Sequence, residues 1–230
     1  MKNHNGTLYG VGVGPGDPEL LTLKAARLIR ECDLIAIPQK NREDCFALKI
    51  ASGTVPQIAE KPVLSIDMPM TRDPETREKA YRLGVSLLQG ELEKGKNVVF
   101  LTIGDPSVYS TFCYLHERLL ALGFCSVIVP GVTSFCAAAA ALSLPLCENR
   151  EELHIIPGRA DYKAALAYPG TKVFMKGDLK NLKKALEKSE LEIAAAENCT
   201  TSEERLYLTL DEIPADAGYY TVIIAKEKQP

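Results

Sequence analysis

A chain of 230 residues with 46% hydrophobic and 25% charged residues is ordinary globular material, long enough for one large domain or two compact ones. A net charge of −3 and a pI near 5.7 give no bulk attraction to nucleic acid or anionic lipid, and neither is expected as a partner. No apolar run approaches the ~20 residues needed to span a bilayer, and the opening MKNHNGTLYG lacks the basic-then-apolar plan of a signal peptide, so a cytoplasmic protein is expected.

The periodicity alternates between strand-like and helix-like, the mark of an α/β protein. Leu8 to Val13 reads as a strand, Leu20 to Cys32 as an amphipathic helix and Leu34 to Ile37 as the next strand. A helix near Asp44 to Ala51, a strand at Val63 to Ile66, the loop DMPMTRDPET and a long charged helix from Glu75 to Lys94 follow. Asn97 to Thr102 is a strand, IGDPSVYST a loop, and the helix after it runs to about Leu122.

The second half opens on a strand at Ser126 to Val129 and passes through PGVTS into an alanine-rich helix. Further strands are predicted at Leu153 to Ile156, Thr171 to Met175, Ile193 to Ala196, Arg205 to Leu210 and Tyr219 to Ala225, with helices at Asp161 to Ala167 and Leu179 to Lys188. The last two strands have no helix between them, which predicts a parallel first sheet and a mixed second one. Two α/β domains are expected, 1–122 and 123–230, joined without a Gly/Ser linker and with a ligand cleft between them.

Seven cysteines, Cys32, Cys45, Cys113, Cys125, Cys136, Cys147 and Cys199, form no C-x-x-C pair and read as reduced thiols. Cys113 and His116 share a helical spacing but lack further ligands, so no metal is expected.

The segment LYGVGVGPGDPELLT invites a nucleotide-binding reading. A dinucleotide fingerprint needs a third glycine, yet the sixth position from Gly10 is Pro15 and from Gly12 is Asp17. The acid expected at the end of the second strand is missing, and no Gly-Lys pair is followed by Ser or Thr, so NAD and a P-loop both fail. Asp17 and Pro18 read as a helix start, and a capping carboxylate there would repel a phosphate. A second Gly-Asp-Pro, Gly104 to Pro106, also follows a β-rich run, and a third strand end carries Pro130 and Gly131 before Thr133 or Ser134 as a cap. Ligands of open α/β sheets sit beyond the carboxyl ends of strands, so three glycine turns at such ends suggest one site.

Taken in order, GVGVGPGDPELLTLKAARLIRECD, LTIGDPSVYST, VPGVTSFCAAAAALSLPL, KVFMKG and AAENCTTSEERLY resemble the tetrapyrrole methylase family over nearly the whole chain. The resemblance implies two α/β domains, S-adenosylmethionine as methyl donor with S-adenosylhomocysteine as product, a porphyrin-like small-molecule substrate and a homodimer. With DMPMTRD added, the chain is most similar to members that methylate C20 of precorrin-2 or cobalt-factor II in cobalamin biosynthesis. Uroporphyrinogen III, other precorrins and diphthine synthesis are same-fold alternatives, and a non-catalytic nucleotide-binding module is a different class of reading.

By that resemblance Pro15 lines the donor pocket; Ile103, Gly104 and Asp105 approach the methionine and ribose parts; Val108, Thr133, Ser134, Met175 and Cys199 surround the rest. Many relatives have glycine where this chain has Ile103 and Cys199, so contacts there are expected through backbone atoms. Asp17, Arg72, Arg159 and Lys176 are candidates for holding the substrate, and Tyr109, beside the central loop, is a candidate base by position alone. Asp105 has two readings, a helix cap or a partner for the donor's ribose or ammonium group.

Overall fold

The computed structural model describes residues 5–227, so the outermost ends of the two expected domains lie outside it. It divides into two compact units, one ending at Thr133 and the other beginning at Ser134.

The first unit is built on five parallel strands: β1 (Thr7–Gly12), β2 (Leu34–Ile37), β3 (Val63–Ser65), β4 (Val98–Thr102) and β5 (Cys125–Val129), in the order β3-β2-β4-β1-β5. All four pairings are parallel. The last strand therefore completes the first sheet instead of opening the second, and this moves the division from the expected 122 to after Thr133.

Strand alternation sorts the side chains to two faces. Ile35, Ile37, Val99 and Leu101 pack with helices α1 (Leu23–Glu31) and α2 (Phe46–Thr54). Leu34, Ala36, Val98 and Phe100 pack with α3 (Pro74–Leu92) and α4 (Phe112–Ala121). Such two-sided burial explains why these strands read as unbroken apolar runs. Gly10, on β1, leaves room for the Phe112 ring, whose atoms lie within 2.2–2.4 Å of where a Cβ would sit.

Helix starts follow local chemistry. Asp73 accepts from the backbone N–H of Glu75 and Thr76 at the head of α3, and Pro74 fills the first helical position. The predicted helix from Leu20 is in fact two elements. Asp17 accepts from Glu19 N (2.8 Å) and caps only a three-residue 3-10 turn, Pro18–Leu20. Leu21 is then extended, and Thr22 caps α1 through Ala25 N.

The second unit holds β6 (Leu153–Pro157), β7 (Thr171–Met175), β8 (Glu192–Glu197), β9 (Arg205–Tyr207) and β10 (Thr221–Lys226), ordered β6-β7-β10-β8-β9. β6 and β7 are parallel, whereas β10 runs antiparallel between β7 and β8. The mixed sheet is as expected. Helices α6 (Tyr162–Leu166) and α7 (Leu179–Leu186) bury Ala165, Leu182 and Leu186 against Phe174, Ile223 and Ala195, while α5 (Ser134–Ala141) packs on β8 and β10.

Among the described residues no helix is long and apolar enough to cross a membrane. Leu88, fully buried on α3, belongs to the core on that face of the first sheet. Its replacement by alanine is expected to cost about 2–5 kcal/mol, read from the denaturant midpoint.

Candidate functional site

In the N-terminal unit the carboxyl ends of β4, β1 and β5 lie side by side, and the three glycine turns leave from them. β1 and β4 continue past their ends through Val13 N to Thr102 O (2.9 Å) and Gly104 N to Gly14 O (2.8 Å). Gly14 and Gly104 both have positive φ, 80° and 71°. The Gly104 carbonyl is driven between the other two turns. A Cβ on Gly12 would lie 2.4 Å from that oxygen and 2.7 Å from Gly131 N, and a Cβ on Gly131 would lie 2.2 Å from the same oxygen. Backbone meets backbone here, and that accounts for glycine at these positions.

Asp105 does not cap a helix, since α4 begins only at Phe112. One carboxylate oxygen accepts from Ser107 N (2.7 Å) and Ser107 Oγ (2.5 Å), and the other accepts from Gly131 N (3.0 Å). Its side chain thus ties the turn after β4 to the turn after β5. Val108 closes the same turn through its N–H to Asp105 O, and Tyr109, half exposed, has a φ of 47°. Pro15 is buried, Ile103 partly so. The Thr133 hydroxyl is buried with no hydrogen-bond partner among the described residues, an arrangement that native structures rarely leave unexplained.

Pro15, Ile103, Gly104, Asp105, Val108 and Thr133 are therefore brought to three neighbouring strand ends, with Asp17 on the first of those turns. Arg72 is exposed on the connection after β3, which β2 separates from β4. Cys113 and His116 turn to different partners: the thiol to Pro106 O, and the imidazole Nδ1 to Ser126 Oγ at 2.7 Å.

In the C-terminal unit Pro157, Met175, Val222 and Ala196 stand in register across one end of the sheet. The turns that leave there are strained, with φ of 57° at Lys176, 48° at Asn198 and 66° at Thr200. Tyr162 joins two of them, its hydroxyl donating to Gly158 O and accepting from Asp178 N, each at 3.0 Å. Arg159 is exposed beside Gly158, Met175 is buried, and Ser134 opens α5. Lys176 is exposed, yet partial desolvation by its surroundings lowers the pKa of its ammonium. Burial, reinforced by Glu204, pushes the Cys199 thiol up to about 12. A cavity of about 280 Å³ within this unit is lined by Phe174, Leu179, Leu182, Ala217, Gly218 and Tyr219.

Ser107, Tyr162 and Glu197 escaped the sequence reading as site residues. Only Glu197 left a signal, an acid closing the apolar run IAAA.

The sequence pattern of the family described as Tetrapyrrole (Corrin/Porphyrin) Methylases matches residues 7–214. The chain belongs to that family. This tetrapyrrole methylase is 34% identical over 227 residues, 95% of each chain, to the Methanocaldococcus jannaschii protein named "Probable cobalt-precorrin-2 C(20)-methyltransferase". It is 40% identical over 159 residues to the Mycobacterium bovis "Cobalamin biosynthesis protein CobIJ", a match covering 66% of this chain and 31% of that protein, so it spans about a third of that relative. Among solved structures, uroporphyrin-III C-methyl transferase from Thermus thermophilus complexed with S-adenyl homocysteine aligns with a TM-score of 0.69 at 25% identity, covering 96% of this chain and 98% of that one.

Two outcomes are expected of the tetrapyrrole methylase as isolated. Alanine at Gly12 or Gly131 forces backbone apart and is expected to cost about 1–3 kcal/mol each, measured by thermal melts. With a thiol reagent at pH 8, the exposed Cys125, Cys136 and Cys147 react first, while Cys199, held protonated and buried, reacts only on unfolding.

Proposed function

We propose that this tetrapyrrole methylase transfers a methyl group from S-adenosylmethionine to C20 of precorrin-2 or cobalt-factor II in cobalamin biosynthesis. The observation that carries the proposal is the match, over 95% of both chains, to a relative bearing that activity in its name.

The chain's own chemistry supports the donor. When bound, S-adenosylmethionine supplies an electrophilic methyl group on a sulfonium and presents no phosphate. A site for it needs no P-loop cations, and the turns after β1, β4 and β5 offer backbone groups brought close by Gly12, Gly104 and Gly131. The partnerless Thr133 hydroxyl fits a ligand that can donate to it or accept from it. Asp105 already accepts three hydrogen bonds from its own chain, so its part is to hold the turns in place. Ile103 and Gly104 are then left to meet the donor mainly through backbone atoms. Buried Pro15 excludes water from the end of β1.

For methyl transfer the protein must hold the attacking carbon and the methyl at near-attack distance, a contribution of up to about 7–11 kcal/mol. A rigid backbone-to-backbone junction suits that task better than long side chains. The macrocycle's carboxylates call for cations, and Arg72, Arg159 and Lys176 stand on turns leaving strand carboxyl ends. Met175, the last residue of β7, and Cys199, on the turn after β8, are assigned to the donor, as is Ser134. Tyr109 is the candidate to take the C20 proton; Tyr109→Phe should then lower kcat while leaving donor affinity intact. A cytoplasmic homodimer completes the proposal, and light scattering on the eluted protein is expected to give twice 25.1 kDa.

Incubation with methyl-labelled donor and either macrocycle, followed by NMR, is expected to locate the label at C20. Label at any other carbon rejects the substrate assignment, and absence of S-adenosylhomocysteine binding at about 100 μM rejects the donor.

A further inference from the structure

Glu197 and Lys172 are the two charged residues buried among those described. Lys172 has Glu227 at 3.6 Å, across the sheet end remote from Met175. Glu197 stands elsewhere and is differently employed. It is the last residue of β8, level with Thr221 on β10 and Arg205 on β9. One carboxylate oxygen accepts from Tyr207 Oη (2.8 Å), and the other accepts from Gly218 N (2.6 Å). The first bond anchors the group to β9; the second reaches into the segment that leads to β10.

Those contacts govern two tight turns. Thr201 N bonds back to Asn198 O (3.1 Å), closing the turn that contains Cys199, with Asn198 and Thr200 both at positive φ. Thr221 N bonds back to Gly218 O (3.2 Å), closing a second turn. Asn198 N donates to Tyr220 O (3.2 Å), so the turns touch. Glu197 is covalently attached to the first turn and hydrogen-bonded to the head of the second. Burying a carboxylate is costly unless donors meet it, and here one of the donors belongs to an element whose spacing matters.

We propose that Glu197 is a positioning residue for the methyl donor: through Gly218 N it sets the separation of the 198–201 and 218–221 turns, and so fixes Cys199 against the donor. The assignment rests on the donor reading above and adds a residue that does not itself touch the ligand. What it requires is an acceptor oxygen at the right reach, not a negative charge. Glutamine meets that requirement, because its carbonyl can accept from Gly218 N while its amide donates to the Tyr207 oxygen. Aspartate keeps the charge but is one methylene short of bridging both partners.

The test compares Glu197→Ala, Glu197→Asp and Glu197→Gln by calorimetry with S-adenosylhomocysteine and by steady-state methylation, with melting temperatures alongside. The Ala and Asp variants are expected to weaken binding, and to raise the KM for S-adenosylmethionine, by about tenfold at unchanged stoichiometry, with kcat within about twofold and Gln within about threefold of the parent. A purely structural role lowers the stoichiometry and the melting temperature while the dissociation constant stays put, and that result overturns the proposal. An Asp variant that binds as the parent does overturns it too, and this comparison stands even where the Ala variant fails to fold. If the parent protein binds no S-adenosylhomocysteine, the donor reading itself has failed before any variant is compared.

Discussion

The Gly104 carbonyl has nowhere to go except between Gly12 and Gly131, and the end of the first sheet is built around that contact. Three adjacent parallel strands bring their exits to one place, and ordinary side chains there would hold the chains apart by the width of a methyl group. Removing them lets peptide units approach each other directly. The surface so formed consists of amide edges and carbonyls in fixed positions, which is polar without being charged. Its dipoles are fixed in place before any ligand arrives.

Backbone packing alone does not hold such turns in register, and each sheet edge adds a side chain that does. Asp105 spans the exits of β4 and β5, Tyr162 those of β6 and β7, and Glu197 links the exit of β8 to the approach to β10. All three work through main-chain N–H groups, and Tyr162 also through a main-chain carbonyl. The pattern matters because strained residues such as Lys176, Asn198 and Thr200 persist only where their neighbours over-determine them.

Much of this architecture was legible beforehand because its causes are local. The runs LIAI and VVFL are apolar at every position since both faces of a parallel sheet are covered, and Asp73-Pro74 starts a helix with atoms two and three residues away. Where the cause lies far along the chain, reading fails. Asp17-Pro18 and Asp105-Pro106 are the same dipeptide, yet the first begins a short 3-10 turn and the second begins no helix, since the Asp105 carboxylate is drawn to an N–H 26 residues on. The strand after Gly123 looked like the start of something new, and its partner, β1, lies more than a hundred residues back. The family motifs identified the turns; they carried no hint of which side chains brace them.

The order β6-β7-β10-β8-β9 has a consequence for how the second domain comes into being. Its middle strand is the last one synthesised, so β7 and β8, complete long before, have no direct partnership with each other and must await residues 221–226 to become one sheet. The first domain faces no such delay, since all five of its strands have emerged by Val129. A ribosome stalled near residue 220 would therefore carry one domain able to finish and another split down its centre, with the unpaired flanks of β7 and β8 open to any passing strand.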